Sequence, residues 1–450
     1  METSPLFAHA LPDAVVAYRL GVAISARQFL ADATALARSL PSSRHMLNVC
    51  LDRYCFTVGL AACLMTGRVS LLPSTHTPEV IRRLLEFAPD VFCLTDDPAC
   101  AIDLPRMPFP SLPGAAVSWF VPHIPDTQPA AIVFTSGSTG TPVPYQKTWG
   151  RLARCVRDGA PRLGLAGGGA HTLIGTVPAQ HMYGFESTVL LALLSGNAFS
   201  AERPFYPADI VSTIAAVPRP RALVSTPVHL RTLLAAGIAL PPVDLIVSAT
   251  APLDLGLAHA VEFKFQTRLL EIYGSTETGQ IATRRTAESP HWNLWPGVRL
   301  QQNAGQTFAH GGHVEQMTPM CDVLEIIDDN EFLLHGRTAD LVNVAGKRSS
   351  FAYLNAQLNS VSGVVDGAFF LRDADVGGTG VNRLAAVVVA PTLTAAELTA
   401  ALRQRIDPVF LPRPLLLVDR LPRNATGKLP QQALQSLAAQ HLRSRGADGV

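Results

Sequence analysis

Charge is scarce in this chain. Asp, Glu, Lys and Arg make up 16% of its 450 residues, against 48% hydrophobic side chains. A chain with so little charge and so much apolar surface is not disordered. A formal net charge of +1 supplies no global basic field, so no nucleic-acid partner is expected. Cysteine is thin as well. The seven are scattered and odd in number, and none forms a C-x-x-C pair. That argues against a disulfide framework or a zinc site and for a reducing compartment. Long apolar runs are missing too. Phe56 to Thr66 is broken by Gly67 and Arg68 and falls short of the roughly 20 residues a bilayer span requires, so no membrane span is expected. The opening METSPLFAHALPDAVVAYRL has no basic start followed by an apolar stretch, so no signal peptide is expected. A soluble, cytoplasmic protein follows as the expectation.

The charge that is present lies unevenly. Residues 341–450 hold 12 Lys/Arg against 7 Asp/Glu. A basic terminal segment suits an acidic partner, and ordinary solvated arginines read equally well.

The length allows two or three domains. Short β-branched runs alternate with helical patterns. AAIVFTS (130–136), HTLIGTVP (171–178), RALVSTP (221–227) and VDLIVSAT (243–250) read as strands, while RLARCVRDGAPRL, STVLLALLSG and PVHLRTLLAAG read as helices. Strand–helix alternation predicts an α/β fold with largely parallel or mixed sheets. After about residue 340 the texture changes to a small α+β pattern: strands at VDGAFFL, RLAAVVVAP and PLLLVDRLP, and a helix opened by a Thr394-x-x-Glu397 capping box. The glycines of GLAGGGAH (164–171) do not fit G-x-G-x-x-G, so that stretch reads as a loop.

Four motifs carry chemistry. The loop Thr135-Ser136-Gly137-Ser138-Thr139-Gly140 follows an apolar strand; glycines permit close backbone approach, and hydroxyls with amide N–H groups suit phosphate oxygens. Tyr273-Gly274-Ser275-Thr276-Glu277 places a carboxylate beside a hydroxyl, a pairing that can hold Mg²⁺ and a phosphate together. A third motif runs from Leu334-His335-Gly336-Arg337 through Ala339, Asp340 and Gly346, where the texture changes. The fourth is Pro422-Arg423-Asn424-Ala425-Thr426-Gly427-Lys428. Taken singly, each reads more readily as a turn. Tyr273 to Glu277, for instance, reads as a glycine turn leading into a helix N-cap.

Their order and spacing closely resemble the acyl-adenylate-forming superfamily of acyl- and aryl-CoA synthetases, peptide-synthetase adenylation domains and luciferases. The resemblance runs from about Gly67 to Lys428. It implies a large α/β N-terminal domain (1–335), a hinge (336–340) and a small, mobile α+β C-terminal domain (341–450). It implies ATP and Mg²⁺, with Thr135 to Gly140 around the β- and γ-phosphates, Thr276 at the α-phosphate and Glu277 on the metal. Ala249, Thr250 and Ala251 would line the adenine and acyl sites, and Tyr273, Gly274 and Ser275 would bind ATP. Asp322 would hold the ribose hydroxyls beside Arg337. His181, in the Pro178 to Gly184 motif, would border the carboxylate, and Lys428 would stabilise the adenylation transition state. In the second half-reaction rotation at Ala339 and Asp340 would exchange Lys428 for the segment around Gly346.

The match departs from the pattern twice. The lysine usual after the phosphate-loop proline is Val143, with Lys147 four residues on as its candidate replacement. The hinge position two residues after the arginine is Ala339, with Asp340 following. These departures keep open a degenerate, non-catalytic nucleotide-binding protein. The expected acid pocket comprises His181, Tyr183, Gly184, Phe185, Ser225, Thr226, Val228, Thr250 and Gly279. It holds no carboxylate for an amino group, which favours an aryl or fatty acid. The GRTADLVNVAGKRSS segment resembles stand-alone ligases of aryl-polyene and xanthomonadin pigment clusters, implying a hydroxybenzoate loaded onto an acyl carrier protein. An acyl- or aryl-CoA synthetase using free CoA is the alternative.

Overall fold

The computed structural model describes residues 2–73, 75–111, 118–136, 142–166, 170–337, 341–344, 347–372, 383–424 and 429–447. The apolar runs near the middle of the chain become neighbouring strands. Thr172–Gly175, Arg221–Ser225, Leu245–Ser248 and Leu269–Ser275 pair in parallel at the centre of an eleven-stranded sheet. Their near-continuous hydrophobicity follows from burial on both faces. Successive residues alternate between two cores. Leu173, Ala222, Leu245, Val247 and Leu270 enter the larger one, with Phe56, Leu152, Phe185 and Val189. Ile174, Leu223, Ile246 and Leu269 face the other, built on the helices Pro207–Ala215, Pro227–Ala235 and Leu255–Phe265.

A second, six-stranded sheet runs in the order Pro142–Thr148, Pro129–Ser136, Val69–Leu72, His45–Asn48, Phe92–Thr95, Arg106–Pro108. All its pairings are parallel except the first, a hairpin. The helices Arg53–Met65 and Trp149–Leu163 share one core with both sheets. Arg53 is fully buried there. It donates to the carbonyls of Gly175, Val177, Ser200 and Glu202 at 2.7–3.1 Å. Burial lowers its pKa to about 10, so the guanidinium remains charged at neutral pH and ties four carbonyls together.

Residues 351–441 have separate cores. Strands Asp366–Arg372, Arg383–Val389 and Leu415–Leu417 form a sheet between the helices Phe351–Asn359 and Ala395–Arg403 on one side and Gln431–Ala447 on the other. The capping box is present: Glu397 N–H donates to Thr394 Oγ1 at 3.3 Å, and Thr394 N–H to Glu397 Oε2 at 2.8 Å. One local expectation fails. The segment after Tyr273-Gly274-Ser275 turns back as the strand Gly279–Arg284 and does not enter a helix. Among the described residues no helix is long and apolar enough to cross a membrane.

Candidate active site

The hairpin formed by Leu269–Ser275 and Gly279–Arg284 organises the site. Its tip is drawn tight by hydroxyls: Ser275 Oγ and Thr278 Oγ1 lie 3.1 Å apart, and each accepts the other residue's N–H at 3.2 Å. Thr276 and Glu277 stand partly exposed between them. Lower on the strand, the Tyr273 hydroxyl donates to Asp322 Oδ2 at 2.5 Å, and its ring packs on Trp292 and Phe332. Asp322 lies directly opposite Arg337 in the antiparallel register. The edge strand pair that holds Asp322 opposite Arg337 and the Tyr273 side chain reaching out from the sheet interior thus bring three distant stretches of sequence together. No ion pair or hydrogen bond among the described residues engages the Glu277 carboxylate. A lone, accessible carboxylate fits Mg²⁺, which takes one or two protein oxygens and completes its shell with phosphates and water.

Beside this hairpin the strand Leu245–Ser248 ends in a strained loop. Thr250 has φ +79°, a left-handed conformation that a β-branched residue adopts at a cost of about 1–3 kcal/mol. The loop is braced at its far end: Leu253 N–H donates to Glu271 Oε1 at 3.0 Å. Glu271 is buried, which raises its pKa. Arg284 at 2.7 Å and Thr286 at 2.8 Å oppose that rise. The loop that carries Ala249, Thr250 and Ala251, with Thr250 in the outlier conformation, is thus anchored at Leu253 by a buried carboxylate that the sequence reading missed.

The residues expected to line the acid pocket begin at the turn before the helix that starts at Met182. A Cβ on Gly184 would lie 2.0 Å from the Pro178 carbonyl oxygen, so only glycine lets the chain turn there. His181 precedes the first helical residue, and Tyr183 reaches across to the sheet. The Tyr183 hydroxyl donates to the carbonyls of Ser225 and Val247, both at 3.1 Å. Ser225 and Thr226 are buried in a hydroxyl cluster with Thr176 and His229, while Val228 is half-buried. Phe185 turns into the core, edge-on to Phe56 with ring centres 6.4 Å apart. His181, Gln180 and Pro178 also border a cavity of about 400 Å³ that reaches His76, Asp97 and Arg203.

The structure corrects one sequence reading and places the candidate lysine. Lys147 is buried behind the hairpin tip. It shares a strand face with Val143 but lies about 13 Å deeper, it is 5% exposed, and Nζ donates to the Glu277 carbonyl at 2.8 Å. The pocket region also has a carboxylate. A Cβ on Gly279 would come within 2.9 Å of Glu186 Oε1 and 3.7 Å of both Cys155 Sγ and His313 Nε2. Burial lifts the Glu186 pKa to about 7 against the charge of Lys147. These residues come from separate elements, and only the inward strand parity of Lys147 signalled the group. Gly137, Ser138, Thr139, Gly140, Ala339, Asp340, Gly346 and Lys428 lie outside the described residues. Thr135 and Ser136 end the strand before the loop, paired with Val143 and Pro142.

With this geometry in hand, comparison with known proteins is informative. A family profile described as AMP-binding enzyme matches residues 7–331. The chain is 32% identical over 277 residues to a 4-coumarate–CoA ligase of Rhodobacter capsulatus, covering 62% of this chain and 67% of that protein. It is 25% identical over 363 residues to a 4-chlorobenzoate–CoA ligase of an Arthrobacter species, covering 70% and 67%. The structure of o-succinylbenzoate CoA synthetase from Bacillus subtilis in complex with its acyl-adenylate intermediate superposes with a TM-score of 0.81 at 18% identity, covering 97% of this chain and 99% of that one. At that identity the likeness shows the fold.

Proposed function

The chain belongs to the AMP-binding enzyme family and is an AMP-forming acid–thiol ligase, and from that premise we propose that it activates an aromatic acid such as a hydroxybenzoate with ATP and passes the acyl group to the phosphopantetheine thiol of an acyl carrier protein. The observation that carries the nucleotide half is the Tyr273–Asp322 hydrogen bond, with Asp322 in register opposite Arg337, near a Glu277 carboxylate that no described residue engages. A carboxylate oxygen of the substrate attacks the α-phosphorus, and pyrophosphate leaves. Two anions must meet, so charge has to be offset at every point of contact. Glu277 would hold Mg²⁺, which neutralises charge on the phosphates. Asp322, braced by Tyr273, accepts from the ribose hydroxyls, and Thr276 donates to the α-phosphate. Thr135 to Gly140 wrap the leaving pyrophosphate, and Lys428 bridges the carboxylate and the α-phosphate. Rotation of residues 341–450 about 336–340 then admits the thiol. The sulfur attacks the acyl carbon and AMP leaves.

The aromatic preference rests on Tyr183 in the pocket and on the absence of an unmatched carboxylate there, since Lys147 opposes Glu186. The two relatives are named for aromatic acids. For the acceptor, Arg403, Arg405, Arg413 and Arg420 are exposed, and Arg403 and Arg413 flank a shallow groove with Pro412 and Leu415. Arg423, counted with them in the basic segment, is withdrawn into a 2.7 Å pair with Asp366. Exposed basic residues suit an acidic carrier. Free CoA is the second reading, favoured by the names of the same two relatives.

One acid offered to two acceptors, free CoA and a holo carrier protein, decides between them. The proposal expects higher kcat/KM with the carrier. It also expects carrier transfer to fall with salt, because rim charges act over about 8 Å at physiological ionic strength. Charge reversal at Arg403 and Arg413 should act in the same way. Better kcat/KM with CoA, and carrier transfer indifferent to salt, would establish the CoA ligase instead.

A further inference from the structure

Behind the tip of the metal-site hairpin lies a group of polar side chains that the proposed chemistry does not use. Lys147 comes from the strand that follows the phosphate loop, Cys155 from the next helix, and Glu186 and Ser187 from the helix of the acid pocket. All four are buried. They converge on the stretch from Glu277 to Gln280. Lys147 Nζ donates to the Glu277 carbonyl at 2.8 Å. Gln280 Nε2 donates to Ser187 Oγ at 2.7 Å. The Cys155 thiol lies 3.7 Å from both the Gln280 carbonyl and Glu186 Oε1. Gly279, at φ +76°, has no Cβ to collide with Glu186.

We propose that Lys147 is a positioning residue. It fixes the Glu277 carbonyl from behind, with Glu186 as its buried counter-charge, and so sets the direction of the Glu277 carboxylate toward Mg²⁺·ATP. The inference rests on the ATP-dependent ligase reading above. Burying a lysine and a glutamate is an expensive way to stabilise a core, since apolar residues of similar volume do so at least as well. What an apolar replacement cannot supply is a donor aimed at one carbonyl. Glu277 is the residue whose direction matters, because a carboxylate turned by a few tens of degrees no longer meets the metal in octahedral geometry. A widened π-type turn over Phe185–Leu190 presents Glu186 and Ser187 together on the inner side, and such turns recur where function needs a local departure from the regular helix. The strand after the phosphate loop, the metal loop and the acid-pocket helix are thereby joined at one point.

The test compares wild type, Lys147→Met and the double variant Lys147→Met/Glu186→Gln. Mn²⁺ binding in the presence of a non-hydrolysable ATP analogue is followed by electron paramagnetic resonance, next to urea unfolding and the KM for ATP. Positioning predicts that Lys147→Met weakens Mn²⁺·nucleotide binding tenfold or more and raises KM for ATP by more than it lowers kcat. The double variant regains the unfolding midpoint, having no stranded charge, yet keeps the weakened metal binding. It also carries the test if the single variant does not fold. Recovery of metal binding together with stability would reduce Lys147 to a packing element, and so would single-variant binding within twofold of wild type. Wild type that binds no Mn²⁺·nucleotide and forms no acyl-adenylate would overturn the ligase reading and this inference together. A normal wild type with an unaffected variant overturns this inference alone.

Discussion

Glu277 and Lys428 both serve the adenylation half of the proposed chemistry, from different parts of the chain. Glu277 belongs to the hairpin and serves metal and nucleotide, while Lys428 belongs to the segment that is to move away before the thiol arrives. Lys428→Ala should therefore lower adenylate formation by about 10²-fold or more, the usual effect of removing one donor that stabilises developing charge. Thioester formation from supplied acyl-adenylate should stay near wild type. Single-turnover assays of each half-reaction check this, and equal losses in both would contradict a role confined to adenylation. At this scale the sequence spoke unevenly. The Tyr273 to Glu277 motif was legible because its residues are contiguous. The Tyr273–Asp322 hydrogen bond and the Asp322–Arg337 register were not, because they depend on which strand lies beside which. Lys147 was a candidate replacement for the missing lysine only from nearness in sequence. Strand parity places it on the face of Tyr145 and Val143, and at its depth that face meets the hairpin.

Among the elements, the turn from Pro178 to Gly184 has the least freedom. Its closure depends on the missing Cβ of Gly184, which would otherwise sit 2.0 Å from a backbone oxygen. Backbone cannot rotate away as a side chain can, so Gly184→Ala should destabilise the protein by about 1–3 kcal/mol, the range for forced overpacking. It should also shift His181 and Tyr183 enough to raise the KM for the acid. Urea unfolding monitored on the first transition, with acid titrations at saturating ATP, measures both. A change within about 0.5 kcal/mol, the scale of an innocuous surface substitution, would contradict the steric account. Elements with one dominant signal were readable from sequence. VDLIVSAT, RALVSTP and VDGAFFL became strands because β-branched apolar runs bounded by turns have few other fates. The Thr394–Glu397 box marked its helix to the residue. The Tyr273 to Glu277 turn was ambiguous, since Ser, Thr and an early acid also write a helix start. Pairing of Gly279–Arg284 with Leu269–Ser275 and with Trp292–Leu294 decided for a strand.

In the whole molecule, the two sheets and the helices between them hold every described candidate residue for nucleotide and acid before residue 338, while residues 351–441 pack about their own cores. Such a division suits a ligase whose two half-reactions need different surroundings for one bound adenylate. In the proposed chemistry Thr250, Asp322 and Glu277 all serve the nucleotide half, so the central claim is adenylate formation. Its most direct measurement is isotopic exchange of pyrophosphate into ATP, with Mg²⁺ and a panel of aromatic, fatty and amino acids, and no thiol present. The account predicts exchange that requires both the acid and the metal, is fastest with a hydroxylated aromatic acid, and is abolished or nearly so in Glu277→Gln. Exchange absent with every acid, from protein that still binds ATP, would contradict it and leave a nucleotide-binding protein without the ligase reaction.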